Sequence, residues 1–300
     1  MDFAKINFIT QQFFINSQVL NVDEVNIGLI NKTYIVEYLL NGSKSKFILQ
    51  SLSNIFESYE LVNINHKLIT EHIDKKLNDI YLDYYHISWR VPNLIKCKSN
   101  NLFVFPFESN IWRAMIYIDK TFSTDLLEDE IMAYETGIGL AKFHLFCSGF
   151  DCSKLKKGIK NFHNTKYYID QFIFSVKCYD FKKLDFRLNK KIKYLICDIS
   201  NHIRYVEFLF SYLNNNSIKH NVIHGDPKLS NFLFDNKDKY VVSLIDLDTI
   251  SSGYLLTDIA DCIRSICNLA GEDPKNIENV CFDINSCMYF LSGYFSISNK

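Results

Sequence analysis

Three hundred residues, 48% of them hydrophobic and 22% charged, suffice for a sizeable core in one large domain or two smaller ones. Basic residues (33) nearly cancel acidic ones (34), so no polyelectrolyte field favours nucleic acid or an anionic membrane as partner. A small ligand is the expectation, and the absence of any bilayer-length apolar run or of a basic, signal-like start in MDFAKINFITQQFF points to the cytoplasm.

In chain order, VDEVNIG and TYIVEYLL flank the turn GLINKT, and Asn41-Gly42 joins the second segment to SKFILQSL, which predicts three antiparallel strands. From Glu57 to Leu77 the residues Leu61, Ile64, Leu68 and Ile69 recur at helical spacing, giving an amphipathic helix. NLFVFPF and WRAMIYI read as two more strands. After Asp119 the pattern becomes helical. Ile131, Tyr134, Ile138, Ala141 and Leu145 step by three and four behind the acidic start Glu128-Asp129-Glu130. A second long helix carries Ile192, Leu195, Ile199, Ile203, Val206, Leu209 and Leu213, and ends at Asn214-Asn215-Asn216. Strands return at VIHGD, NFLFD and YVVSLID before helices resume near Leu255. The expectation is an α+β chain with two lobes, 1–118 and 119–300, joined near Ile118 to Phe122. A cleft between lobes is a usual ligand site.

The chemistry lies between His224 and Asp248. Asp226 and Asn231 stand five apart on a loop opened by Gly225 and stiffened by Pro227, and Asp246 ends an apolar strand. That pattern suits phosphoryl transfer: one carboxylate meets the attacking hydroxyl, while an amide oxygen and a second carboxylate ligate magnesium, which prefers oxygen donors. A turn cap at Asp226 and an Asx turn at Asn231 are the structural alternatives. Asp248 is divided between helping metal or substrate and a structural place at the strand end. Nine cysteines form no CxxC pair and read as buried reduced thiols rather than a zinc site or a disulfide framework.

The run HGDxxxxN followed by a strand and IDLD resembles the signature of the aminoglycoside phosphotransferase and choline kinase superfamily. The resemblance implies a bilobal, protein-kinase-like fold, with a small antiparallel-sheet lobe and a larger helical one. It makes Asp226 the catalytic carboxylate, Asn231 and Asp246 the Mg2+ ligands, ATP the co-substrate, and His224 and Asp261 supports of the loop. Gln50, where kinases carry a phosphate-pairing lysine, and Ile118, at the junction, are expected at the nucleotide. FILQSLSNIF, ITEHI, WRAMIYID, NFHNT, IDLDTISSG and DCIRSICNLAGED are similar to segments of N-acetylhexosamine 1-kinases, which phosphorylate an anomeric hydroxyl. A sugar acceptor is therefore implied, with choline, ethanolamine, homoserine or an aminoglycoside as the alternative.

GLINKT has one glycine, which makes a plain hairpin turn as good a reading as a phosphate cover. The end of the chain at Lys300 is expected to leave part of the acceptor site outside it. VSLIDLDTI also satisfies the DxDxT motif of haloacid-dehalogenase-type phosphatases, but too little chain follows for the remaining parallel strands of that fold. A kinase-like binder without turnover is the non-enzyme alternative.

Overall fold

The computed structural model describes residues 2–25, 30–78, 89–180, 185–215, 217–271 and 274–298. The chain forms two compact units, residues 1–160 with 220–300, and residues 161–219.

The first unit opens with α1 (Phe3–Phe13), a helix the sequence reading did not anticipate. The Asp2 carboxylate caps it by accepting from the amides of Ala4 and Lys5. Ile6, Ile9 and Phe13 then pack with Val36, Phe47, Leu49 and Trp112 in one apolar cluster. Strands β1 (Gln18–Val25), β2 (Lys32–Leu40) and β3 (Ser43–Leu52) are antiparallel. Asn41 and Gly42 both have positive φ, 51° and 80°, as a two-residue hairpin turn requires, so the expected hairpin is present. Gly28 and Leu29 of the GLINKT turn lie outside the described residues.

Helix α2 (Tyr59–Leu77) lies where the periodicity placed it, and its buried face includes the expected Ile69 but is rotated away from Ile64. Val62, Asn63, Asn65, His66, Ile69, Thr70 and Ile73 turn inward, while Ile64 is exposed. The inward polar side chains each make a hydrogen bond, although His66 Nδ1 finds no partner among the described residues. Asn65 exchanges hydrogen bonds with the backbone of Lys156, and His66 Nε2 meets the Pro92 carbonyl at 2.7 Å. β4 (Leu94–Ile95), β5 (Phe105–Phe107) and β6 (Asn110–Ile116) complete a six-stranded sheet in the order β1-β2-β3-β6-β4, with β5 on β6. Its register sets Gln50 opposite Arg113.

After β7 (Thr121–Phe122) comes α3 (Glu130–Cys147), capped by Asp129. It is buried on most sides rather than along the anticipated stripe: Ile131 is exposed, whereas Met132, Ala133, Leu140, Phe143 and Phe146 are buried. The second unit, taken by itself, carries α4 (Thr165–Cys178) and the long α5 (Phe186–Asn215), the latter ending where the asparagine run begins. The first unit resumes with β8 (Asn221–Ile223), β9 (Phe232–Asp235), β10 (Val241–Leu244) and β11 (Ser251–Gly253). β10, β9 and β7 form one small sheet and β11 pairs with β8. Helices α6 (Leu255–Ile266) and α7 (Ile284–Ser298) follow, and α7 lies directly on α3. Cys97, Cys147, Cys262, Cys267 and Cys287 are buried but Cys178, Cys197 and Cys281 are exposed, which corrects the reading of uniformly buried thiols. No helix among the described residues is long and apolar enough to cross a membrane.

Candidate functional site

The loop after β8 is tied down from beneath. The Asp258 carboxylate, on α6, accepts from the amides of His224 at 2.6 Å and Gly225 at 2.9 Å. The same carboxylate meets His144 Nε2 at 3.0 Å, and His144 Nδ1 meets the Tyr294 hydroxyl at 2.9 Å, so α3, α6 and α7 all bear on the loop. Burial works against a charge on Asp258, but the two imidazoles and the loop amides outweigh it and hold the carboxyl below its ordinary range. Asp258, which the sequence reading did not single out, thus holds the loop directly, while Asp261, one turn later, pairs with Arg264 at 2.8 Å. His224 Nε2 donates to the Ile245 carbonyl at 2.9 Å, which leaves Nδ1 to accept the Asp226 amide at 3.3 Å. Its ring thus spans from the loop to the strand that ends before Asp246.

Asn231 is buried, and its Nδ2 donates to the Asp226 carbonyl at 2.7 Å, leaving Oδ1 for another partner. The Ile245 amide donates to the Asn231 carbonyl at 2.9 Å, so Asp226, Asn231 and Asp246 belong to one hydrogen-bonded frame. Asp246 has φ 62° and ψ 56°, a left-handed conformation that costs a residue with a Cβ and recurs at functional sites. Burial, then the neighbouring charges of Asp248 and Asp226, push its carboxyl up to about 7. Lys228 Nζ stands 3.3 Å from the Asp226 carboxylate.

Of these groups Lys228, Asn231 and Asp246 line a cleft whose opposite wall is the six-stranded sheet, and Asp226 stands next to it, within reach of Lys228. Ile35, Ile48, Met115, Ile118, Leu233 and Ile245 give it apolar walls, and Asn31, Thr33, Gln50, Lys228, Asn231 and Asp246 its polar groups. Gln50 and Ile118, expected at the nucleotide, therefore share one cleft with the expected metal ligands. Gln50 is nearly buried, and its Oε1 is already taken by Arg113 Nη2 at 2.6 Å and Nε at 2.9 Å, while its Nε2 donates to Thr33 at 2.9 Å.

The sequence reading weighed Asp248 but missed its partner, Arg113. Arg113 is fully buried and grips Asp248 with Nη1 at 2.6 Å and Nη2 at 2.9 Å. Burial opposes a charge on Asp248, but the guanidinium and the Asn31 amide hold its carboxyl below the usual range. A signal was present in the sequence: an arginine inside the apolar run WRAMIYI demands an anionic partner if the strand is buried.

Among the described residues no cluster of three or more His, Cys, Asp or Glu side chains stands ready as a metal cage. One amide oxygen at Asn231 and one carboxylate at Asp246 nevertheless fit Mg2+, which takes few protein oxygens and completes its shell with phosphates and water.

The model of the phosphotransferase enzyme family matches residues 198–277, a span containing His224, Asp226, Asn231, Asp246 and Asp258. An aminoglycoside phosphotransferase from Alicyclobacillus acidocaldarius is similar in structure, with TM-score 0.62 at 11% identity over 97% of this chain and 76% of that one. Choline kinase from Cryptosporidium parvum gives TM-score 0.57 at 17% identity over 99% and 80%. Aminoglycoside 2'-phosphotransferase-IIIa, solved as its GDP complex, gives 0.53 at 14% identity over 99% and 90%. Nearly the whole chain thus shares the fold of these kinases, and its resemblance to the aminoglycoside phosphotransferase and choline kinase superfamily is borne out.

Proposed function

We propose that the protein is a small-molecule kinase that transfers the γ-phosphoryl group of ATP to a substrate hydroxyl. What supports this best is the frame in which Asn231 is bonded to the Asp226 carbonyl and to Ile245, the residue before Asp246, with Asn231 and Asp246 lining the cleft. The apolar walls receive the base, with Ile118 at its edge, and the sheet of residues 1–118 covers the nucleotide while residues 119–300 carry the catalytic loop. Asp226 orients the attacking hydroxyl and takes its proton as the new P–O bond forms and the bond from the γ-phosphorus to the β-phosphate oxygen breaks, with ADP as the leaving group. Asn231 Oδ1 and the Asp246 carboxylate hold Mg2+, which when bound neutralises charge on the phosphate oxygens. Lys228, the cation among the described residues lining the cleft, adds positive charge beside the transferred group.

The acceptor we infer is an N-acetylhexosamine, phosphorylated at its anomeric hydroxyl, on the strength of the sequence segments similar to sugar 1-kinases. Incubation of the protein with ATP, Mg2+ and a panel of sugars and amino alcohols, read by mass spectrometry, tests both levels. A phosphorylated N-acetylhexosamine with no product from its 1-O-methyl glycoside is the expected outcome. Equal turnover of the glycoside moves the chemistry to another hydroxyl. Product from choline alone replaces the sugar, and metal-dependent nucleotide binding with no product from any acceptor makes the chain a binder.

A further inference from the structure

We infer that the Arg113–Asp248 pair is a positioning device, which locks the turn presenting Asp246 to the sheet that covers the cleft. The inference rests on the proposed metal role of Asp246 and adds the residues that make that role possible. Neither member is open to the cleft: Arg113 is wholly buried and Asp248 is 5% exposed. Both act through what they hold.

The grip comes from three strands' worth of chain. Arg113, on β6, offers Asp248 two parallel N–H donors, a fork that resists rotation as a single contact would not. Gln50, on β3, fixes the other edge of the guanidinium. Asn31, just before β2, donates to Asp248 Oδ2 at 2.8 Å and accepts the Ser53 amide at 3.0 Å. Asp248 sits in the short 3-10 turn Leu247–Thr249 that directly follows Asp246. The far end of this turn is held by Thr249, whose hydroxyl donates to the His224 carbonyl at 2.8 Å. Asp246 is thus bracketed, by the sheet through Asp248 and by the catalytic loop through Thr249. A left-handed residue with a Cβ persists only when its surroundings over-determine it, and these two anchors do so. Stability alone is a poor reason for the pair, because apolar residues of similar volume commonly replace a buried ion pair without loss.

That last point supplies the test. In the double variant Arg113→Met with Asp248→Leu, no buried charge is left unpaired, so folding should survive. ADP binding is measured by calorimetry in EDTA and in Mg2+, for the parent, the double variant and Arg113→Lys. We expect the parent to bind ADP more tightly with Mg2+. The double variant leaves Gln50 Oε1 and the Asn31 amide without these partners, so it should melt below the parent but still fold, and it should keep its affinity in EDTA yet lose about 10–100-fold of the metal-dependent tightening, the usual cost of removing an outer partner of a metal ligand. Arg113→Lys keeps the charge without the fork and should lose part of the tightening. If the double variant keeps the parent's full Mg2+ dependence, the pair is only structural and the inference is overturned. Should the double variant not fold, full tightening in Arg113→Lys overturns it equally. A parent insensitive to Mg2+ overturns the metal role itself, and is distinguished by failing before any substitution is made.

Discussion

A lysine at position 50 would set an ammonium group against the guanidinium of Arg113, because Gln50 gives Arg113 a carbonyl oxygen at 2.6 and 2.9 Å. Gln50→Lys therefore removes two charge-assisted bonds and adds a second buried cation, at a cost of about 2–4 kcal/mol. Urea unfolding should show that loss, and calorimetry should show Mg-ATP binding no tighter than the parent's. Tighter binding together with new turnover would mean that the glutamine is the mark of a decayed kinase. Asp226→Asn is a different kind of change, since the amide keeps the shape while losing the charge that orients a hydroxyl. Nucleotide affinity should hold while transfer falls by roughly 10²–10⁴-fold, as removal of a general base commonly does. Near-parent turnover would remove Asp226 from its role.

Among elements, α3 and α7 carry the catalytic loop's support at their closest approach. A Cβ on Gly137 would lie 2.0 Å from the Phe290 carbonyl oxygen and 2.8 Å from the Tyr294 amide, both backbone atoms that cannot swing aside. Gly137→Ala must push α7 outward, and overpacking of this kind costs about 1–3 kcal/mol. Because Tyr294 holds His144, and His144 holds Asp258, the shift should reach the loop amides of His224 and Gly225. A lowered melting temperature with faster hydrogen exchange at those amides is expected; an unchanged melt would show that the helices separate freely. The sequence made elements legible where the pattern is local. The Asn41-Gly42 hairpin needs only its own two residues, and α3 begins at an acidic cap three residues from the amide it satisfies. It misled about faces, because periodicity weighs apolar residues alone while α2 buries Asn63 and His66 beside the Arg113 cluster. The site was legible as a motif of close spacing, but Asp258 and the pairing of Asp248 with Arg113 were not. Their partners lie 34 and 135 positions apart, distances that only the fold closes.

At the scale of the whole molecule, the same buried cluster sets how stability responds to acid. Burial first, then the neighbouring Arg113, push the His66 imidazole down to about 4 from an ordinary 6.5, while the Pro92 carbonyl and Asp248 only partly offset them. Folded His66 is therefore neutral between those values, whereas the unfolded chain takes up a proton. With more protons bound in the unfolded state, stability must fall as pH drops through this window, and the loss levels off below about 4, amounting to about 3 kcal/mol. His224, also lowered chiefly by burial, acts in the same direction. Asp246 opposes both: its folded value of about 7 lies above the ordinary 3.8, so the folded protein holds a proton the unfolded chain has released, and stability rises as pH falls between the two. Asp248 and Asp258, held below 3.8, contribute above that value and lose their share only at lower pH. A net profile would blur these contributions, so the prediction is differential. His66→Gln can still donate to Pro92 but cannot titrate, and should be less stable than the parent near neutral pH, by roughly 1 kcal/mol for imperfect packing. Between about pH 7 and pH 5 its urea midpoint should fall less than the parent's, so that the two curves converge. Parallel curves over that range would mean that His66 carries no proton linkage, and that its neutral burial beside Arg113 is not what makes the folded molecule sensitive to acid.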